Sequence, residues 1–277
     1  MHESLGSVLT HWHGHIEVIV GLGGLMALYL LGVGPLREKY NWAEEIDPKR
    51  IATFTLGVMV IFLSLVSPIH ILSDSYLFSV HMVQHMLLAL VAPPLIIWGT
   101  PDWLIRPLLR PDWIFIIART VRHPVIALAA FNLAFALWHI PAIYNLSVTN
   151  HWWHVSEHLM FIGAAMIMWW PLMSNMPELP RLSYPLQIVY MFALSISQII
   201  VFAFVTFSDH PLYTWYVHAP QILGISPLAD QQIGGVIMKV GSAGLFTALL
   251  VIAFMRWYQQ ENSSAEPDHT ELTSYKY

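Results

Sequence analysis

Residues 75–98, SYLFSVHMVQHMLLALVAPPLIIW, form an uninterrupted apolar stretch that decides the fold of this chain. The stretch contains no Lys, Arg, Asp or Glu, and a helix of its length covers the ~30 Å hydrocarbon core of a bilayer at ~1.5 Å per residue. Because backbone polar groups inside lipid must be satisfied within the segment, we predict a transmembrane helix here.

Six further runs of similar length and composition accompany it: 16–34, 51–68, 124–140, 152–172, 184–207 and 229–257. Hydrophobic residues make up 56% of the chain and charged residues 10%, with a mean hydropathy of +0.58, which excludes a soluble globular protein. We therefore predict an all-α polytopic membrane protein with seven transmembrane helices in a single domain, residues 1–258. The polar tail, residues 259–277, is expected to be disordered.

The basic residues predict the orientation of these helices. Eleven of the twelve Lys and Arg residues fall in the first, third and fifth connections between apolar runs or at the C-terminal end, from Arg256 onward. The N-terminus and the second, fourth and sixth connections contain none. The positive-inside rule therefore predicts an external N-terminus and a cytoplasmic C-terminus.

Composition also limits the chemistry of the protein. The chain has no cysteine, which excludes disulfides, thiolate metal sites and thiol catalysis. Its formal net charge is -5, and it has no basic patch of the kind that binds nucleic acid, so membrane lipid is the expected surrounding. Any soft-metal chemistry must use histidine and methionine.

Histidine is concentrated on the predicted outer side, which holds thirteen of the 15 His residues. Two pairs lie four residues apart, His81 with His85 and His154 with His158, so that each pair shares one helix face. Both pairs are predicted at a similar depth, and we expect them to converge on one metal site with His139 as a further ligand. Neutral imidazole is a common ligand for copper, zinc, iron and nickel, and thioether donors favour Cu(I).

The same histidines have a second interpretation. A single histidine in a membrane helix often only hydrogen-bonds to a neighbouring helix, and outer histidines beside Trp152 and Trp153 are compatible with an interfacial aromatic belt. Two pairs at matched depth in a cysteine-free chain favour the metal site, with Met82, Met86 and Met160 beside them as candidate thioether donors. The N-terminal HWHGH, residues 11–15, fits metal capture and solvent-exposed histidine equally well.

Three ionisable residues inside or beside the apolar runs are expected to support the site. Glu157, between the paired histidines, is a candidate to orient a ligating imidazole, to bind the metal or to balance its charge. Lys239 is the one basic residue well inside an apolar run, since Arg256 lies at the end of the last one, and we expect an ion pair between Lys239 and Glu157. Asp230 opens the last run and lies too far along the same helix to pair directly with Lys239.

Three separated blocks of the sequence resemble the seven-span CtaG-type assembly proteins of bacterial caa3-type cytochrome c oxidases. They are SPIHILSDSYLFSVHMVQHMLLALVAPPLIIWGTP at 67–101, WHIPAIYN and HWWHVSEHLMFIGAAMIMWWPL within 138–172, and SPLADQQIGGVIMK at 226–239. The resemblance implies a role in building the oxidase in the bacterial cytoplasmic membrane, with oxidase subunits as partners and copper as the metal handled. It maps the family's functional positions onto His81, His85, His139, His154 and His158, with Glu157 beside them and Asp230 opening the last span.

Three classes of function remain open from the sequence. The first is a copper-binding assembly factor without catalytic turnover. The second is a membrane metalloenzyme, since clustered histidine with an adjacent Glu also suits metal-activated water or oxygen. The third is a b-type cytochrome, in which two histidines on facing helices ligate haem. No motif encodes the oligomeric state or the number and oxidation state of the ions.

Overall fold

The computed structural model describes residues 5–10, 12 and 14–265. His11 and His13 of the N-terminal HWHGH segment and residues 266–277 of the predicted tail lie outside the described residues. Within the described part the chain forms helices and no strands, which confirms the predicted all-α class.

Seven long helices, numbered α1–α7 in chain order, correspond to the seven apolar runs. Their bounds are Ile16–Tyr40, Pro48–Val66, Phe78–Gly99, Pro124–Trp138, His151–Met173, Tyr184–Thr206 and Pro227–Ala265. All but α4 are long and apolar enough to cross a membrane singly. The last helix, α7, continues past residue 258, where the predicted domain ends.

The fourth helix is the short one. α4 has 15 residues and reaches the length of a span only together with the helix Asp112–Val121, from which it is bent by 77°. The bend has a local cause, because the residue before a proline is disfavoured from helical backbone, and His123 before Pro124 has a ψ of 128°. The described chain therefore has six or seven spans, depending on whether this bent pair is counted as one.

A short helix, Leu5–Val8, precedes α1. Further short helices lie in the connections: Pro68–Ser75, Asp102–Ile105, Asp112–Val121, Pro141–Thr149 and Thr214–Val217, with a 3-10 turn at Arg106–Leu109. Proline stands at the first position of several helices, namely Pro48, Pro68, Pro124, Pro141 and Pro227. It fits there because its missing N–H has no intrahelical partner at that position and its φ is already helical.

α3 contains a π-type turn at Leu87–Val91, just before two prolines. Pro93 has no N–H to donate to the carbonyl of Ala89 four residues earlier. The indole Nε1 of Trp169 on α5 donates to that carbonyl instead, at 2.8 Å. A neighbouring helix thus satisfies the interrupted backbone, as the lack of water in a bilayer core requires.

α2 and α3 pack at close range because glycine lies at both contact points. A Cβ on Gly57 would come within 2.8 Å of Ile96, and one on Gly99 within 2.5 Å of the backbone of Phe54. Small residues at such points let membrane helices approach closely. Tyr29 of α1 joins the pair by donating its hydroxyl to the carbonyl of Gly99 at 2.9 Å.

One end of the helix bundle carries arginine. There the third and fifth connections meet, since Arg106 lies 3.1 Å from Glu178 and Arg122 donates to the carbonyl of Pro180 at 3.0 Å. α4 starts at this end and finishes at His139, among the histidines of the other end. The short α4 therefore runs between the two ends of the bundle.

The opposite end brings together the second, fourth and sixth connections. Trp215 of the sixth connection contacts both of the others. Its backbone N–H donates to the side chain of Asn145 in the fourth connection, and its indole donates to the carbonyl of Asp74 in the second. The histidine-rich segments lie at this end. Which of the two ends faces the cytoplasm stays a prediction from the basic residues.

Candidate metal centre

Three histidine-bearing helices begin next to one another, and each begins at a capped N-terminus. Pro68–Ser75 is capped by the hydroxyl of Ser67, and α5 by the side chain of Asn150. α3 has no cap from its own neighbours, but Asp230 at the start of α7 accepts from its first two N–H groups at 2.6 and 3.3 Å. Capping fixes where each helix starts, and so positions the histidines in its first turns.

The inner trio consists of His81 and His85 on α3 and Glu157 on α5. The Nε2 atoms of His81 and His85 lie 3.6 and 3.4 Å from the same oxygen, Oε1 of Glu157. All three side chains are buried, and none of their polar atoms has a hydrogen-bond partner. Burying an ionised carboxylate without a hydrogen-bond partner costs free energy, and a bound cation would offset that cost. The trio is therefore suited to hold a cation.

The N···O distances within the inner trio match metal coordination better than hydrogen bonding. An N–H···O bond is ~2.7–3.2 Å long. Two ligands that each bind one ion at ~2.1 Å with a tetrahedral angle lie ~3.4 Å apart. The separations of 3.4 and 3.6 Å from Glu157 Oε1 are close to the second value. Three donors would leave at least one position of the ion open to a further ligand.

A second group, the middle trio, consists of His70 and Asp74 on Pro68–Ser75 and His154 on α5. Nε2 of His70 and Nε2 of His154 lie 3.4 and 3.1 Å from Oδ2 of Asp74. Burial lowers the pKa of His70 to about 4, so its imidazole is neutral at pH 7. Burial by itself would raise the pKa of Asp74, but the neighbouring imidazoles, above all His154, hold it below its ordinary value.

Sequence reasoning does not identify His70 and Asp74 as ligands. Their signal is the four-residue spacing in HILSD at 70–74, which places both side chains on one face of a helix. That helix is short and lies in a connection between two apolar runs, where a single histidine is weak evidence for a metal site.

His81 and His154 connect the two trios. His154 contacts Asp74 through Nε2 at 3.1 Å and Glu157 through Nδ1 at 3.7 Å. His81 contacts the same two carboxylates, with Nδ1 3.9 Å from Asp74 and Nε2 3.6 Å from Glu157. The structure therefore has one continuous cluster built around two carboxylates, where we expected one site built from histidines.

His139 and His158, the other two predicted ligands, lie beside the trios. Their ring centres are 6.3 and 6.2 Å from that of His85, and the His158 ring is 4.4 Å from that of His154. Nδ1 of His139 donates to the carbonyl of Phe135 at 2.7 Å, which leaves its Nε2 without a proton and, like Nε2 of His158, without a hydrogen-bond partner. Ligating histidines are commonly held in this way, so the hydrogen bond to Phe135 gives His139 the tautomer of a ligand.

The side chains of the methionines beside the histidine pairs lie against α7 or at the surface, away from the cluster. Met82 is fully buried against Gly234 of α7, Met86 lies over Gly241 of the same helix, and Met160 is exposed. The cluster accordingly offers imidazole and carboxylate donors.

Lys239 has a role other than the one predicted, and Asp230 acts on the site through the backbone of α3. Lys239 donates to the carbonyl of Ser195 on α6 at 2.5 Å, and Glu157 pairs with histidines, so the expected ion pair between Lys239 and Glu157 is not formed. Ser195 lies just before the interruption of α6 at Gln198, where helix carbonyls lack intrahelical partners and can accept from an ammonium. Asp230 acts on the backbone of α3 as its cap.

A family model described as cytochrome c oxidase caa3 assembly factor matches residues 27–260. The chain belongs to this family. The predicted resemblance is thereby confirmed, and both trios lie within the matched range. The family match and the apolar helices together indicate a multi-pass membrane protein.

Curated relatives of this caa3 assembly factor family member come from mycobacteria. Uncharacterized proteins of Mycobacterium bovis and Mycobacterium tuberculosis are each 25% identical over 97% of the chain and 43% of their own length. One of Mycobacterium leprae is 24% identical over 94% of the chain and 41% of its length. The chain thus spans about two fifths of the length of these relatives. No solved structure matches the chain significantly.

Proposed function

We propose that this chain binds copper in the inner and middle trios and delivers it during assembly of a haem-copper cytochrome c oxidase. The observation that carries the proposal is the buried carboxylate of Glu157. Its two oxygens have no hydrogen-bond partner and face ring nitrogens of His81, His85 and His154 at 3.4–3.7 Å. Family membership supports an oxidase as the recipient of the copper, and the cluster contains the candidate ligands.

The ligand set favours divalent copper. A given site of nitrogen and oxygen donors generally binds Cu²⁺ more tightly than other divalent first-row ions. Thioether donors, which favour Cu(I), are directed away from the trios in the case of Met82 and Met86. One carboxylate in each trio offsets part of the charge of each ion, and the neighbouring imidazoles of His139 and His158 supply additional donors.

Delivery requires that the ion can leave. Imidazole and carboxylate ligands allow this by exchange, one ligand at a time, with donors of the receiving protein. The cluster lies in the first turns of α3 and α5, near one end of the bundle. We infer that oxidase subunits bind at this end, that it faces outward from the bacterial cytoplasmic membrane, and that lipid covers the sides of the bundle.

Copper binding to the purified full chain in detergent tests the proposal. Glu157→Gln and His85→Ala should each lower the affinity for Cu(II) by at least about 10–100-fold, since each removes a donor from the inner trio. His218→Ala is the matched control, because His218 is an exposed histidine of the sixth connection. Elemental analysis measures the bound copper, electron paramagnetic resonance measures its nitrogen ligands, and circular dichroism verifies the helical fold.

Two outcomes would contradict copper binding at the trios. One is wild-type copper content and an unchanged resonance spectrum in both folded variants of the inner trio. The other is an equal loss of copper in His218→Ala, which would indicate adsorption to surface histidines.

A metalloenzyme is the second candidate function, because two imidazoles and one carboxylate also leave open positions for water or dioxygen on a metal. Catalytic turnover by the copper-loaded protein would favour it. A b-type haem fits the cluster less well, since the cavity beside His85 has a volume of only about 30 Å³. A Soret band in the visible spectrum of the purified protein would reverse that preference.

A further inference from the structure

A third group of the same composition lies at the surface, next to the buried cluster. This outer trio consists of His15 and Glu17 at the start of α1 and His151 at the start of α5. Nδ1 of His15 and Nε2 of His151 lie 3.1 and 3.3 Å from the same oxygen, Oε1 of Glu17. All three trios therefore share one arrangement, in which two imidazole nitrogens converge on a single carboxylate oxygen.

Direct contacts join the three trios in series. Nε2 of His15 lies 3.0 Å from Nε2 of His70, which links the outer trio to the middle trio. His154 and His81 in turn link the middle trio to the inner trio, as described above. The carboxylates along this line are Glu17, Asp74 and Glu157.

Solvent exposure of the side chains falls along the series. It is 26–49% in the outer trio, 6–25% in the middle trio and 0–3% in the inner trio. An ion that moves inward along this line loses its water in stages and meets a carboxylate at each stage. Stepwise exchange of this kind limits the cost of taking a divalent charge out of water.

We propose that the outer trio is a binding site for a divalent transition-metal cation and the entry point through which the buried trios are loaded. The ion binds to His15, Glu17 and His151, and gains His70 before it releases its outer ligands. Only coordination bonds form and break, and the ion keeps its oxidation state. The loading step rests on the function proposed for the buried trios, whereas binding at the outer trio does not.

The outer trio also differs from the other two in its place in the sequence. His15 and Glu17 precede residue 27, where the family match begins. The third member of the outer trio, His151, lies within the matched range, as do the buried trios.

Glu17 has a second role that an experiment must separate from metal binding. A carboxylate in the first turn of a helix stabilises the helix N-terminus without any metal. Glu17→Gln removes both effects, whereas His151→Ala removes a ligand on α5 and leaves the first turn of α1 unchanged. A shared effect of the two variants is therefore an effect on the metal.

Loading kinetics of the full chain in detergent, with Cu(II) as the probe, test the proposal. Glu17→Gln and His151→Ala should each bind about one ion fewer per chain, because each trio supplies one set of donors. They should fill the buried trios at least about tenfold more slowly, a factor that corresponds to about 1.4 kcal/mol in the activation barrier. Elemental analysis gives the stoichiometry, stopped-flow tryptophan quenching gives the rate, and His218→Ala is again the control.

The outcomes separate the two proposals. Unchanged stoichiometry and loading rate in both variants would overturn the outer site, and reduced stoichiometry with a wild-type rate would overturn its role in entry. In Glu157→Gln the outer trio should still bind Cu(II). If Glu17→Gln abolishes all of the copper binding that the wild type shows, copper binds at the outer trio alone. The outer site then stands, and the function proposed for the buried trios is wrong.

Discussion

Glu157 determines the chemistry of the buried cluster at the scale of a single residue. Its carboxylate lies among His81, His85 and His154 without a hydrogen bond. Protonated imidazoles would offset the negative charge, but several of them at these separations would repel one another. A metal ion offsets the same charge while the imidazoles stay neutral, which is why this residue favours a metal site over a set of ion pairs.

Asp230 positions the cluster without touching it. Its carboxylate accepts from the first two N–H groups of α3, and His81 follows within one turn. Negative charge and hydrogen-bond acceptance are both favourable at a helix N-terminus. A change at Asp230 should therefore affect the fold first and the metal through the position of His81.

We expect Asp230→Ala to lower the free energy of unfolding by about 1–2 kcal/mol, the usual cost of losing a cap, and to weaken Cu(II) binding. Asp230→Asn should have an intermediate effect on both, since its amide oxygen accepts only one of the two hydrogen bonds and its NH2 group cannot accept the other. Thermal unfolding followed by tryptophan fluorescence and a copper titration measure the two effects. Asp209→Ala is the control at an exposed acid. Wild-type stability in Asp230→Ala would contradict the capping role.

At the scale of elements, α3 depends on α5 through one hydrogen bond. Pro93 interrupts the backbone ladder of α3, and Trp169 supplies the donor that the carbonyl of Ala89 lacks. A buried carbonyl without a partner costs about 1–3 kcal/mol. The pairing of these two helices, which carry the inner trio, is therefore fixed partway along their length as well as at the cluster.

Trp169→Phe should accordingly lower the stability of the protein by about 1–3 kcal/mol, because it keeps the aromatic packing and removes only the donor. Copper stoichiometry should stay at the wild-type value, since the substitution lies several turns from the trios. Trp113→Phe, at an exposed position, is the control. The hypothesis is wrong if the two variants unfold at the same temperature.

The sixth connection contacts the helix Pro68–Ser75, which carries His70 and Asp74 of the middle trio. Tyr216 donates to the carbonyl of Ser73 at 2.6 Å, so its single hydroxyl proton is used and Tyr144 must donate to Tyr216 at 2.8 Å. The indole of Trp215 donates to the carbonyl of Asp74. These bonds fix Pro68–Ser75 against the bundle, and with it the position of His70 and Asp74.

At the scale of the whole molecule, basic residues and histidines occupy opposite ends. Contacts between the third and fifth connections define the arginine end, and contacts among the second, fourth and sixth define the histidine end. α4 runs between these ends despite its 15 residues, and with the bent pair counted as one span the described chain has seven spans. With seven spans, the first residue of α1 and the last residue of α7 lie at opposite ends of the bundle.

The positive-inside rule then predicts where each end lies. A fluorescent protein fused after Tyr277 should fold and fluoresce in the cytoplasm. Alkaline phosphatase fused after Ser208, in the sixth connection, should be active because it is exported. The same phosphatase fused after Tyr277 should be inactive and serves as the control. An active phosphatase at Tyr277 would reverse the orientation and place the cluster on the cytoplasmic side.

The sequence by itself determined the helices and the composition of the histidine end. These features are local patterns that can be recognised without a structure: apolar runs such as 75–98, prolines at helix starts and the four-residue spacing of His81 and His85. The same holds for His154 and for the presence of Glu157 among histidines. Family membership follows from motifs of the same local kind.

Only the tertiary structure decided which side chains meet. Glu157 faces histidines and not Lys239, and Asp74 with His70 joins the cluster from a connection. Such meetings depend on the rotation of each helix about its axis and on the distance between helices. These are set by contacts between residues far apart in sequence, such as Gly99 against the backbone of Phe54 and Asp230 against the start of α3, and no local pattern encodes them.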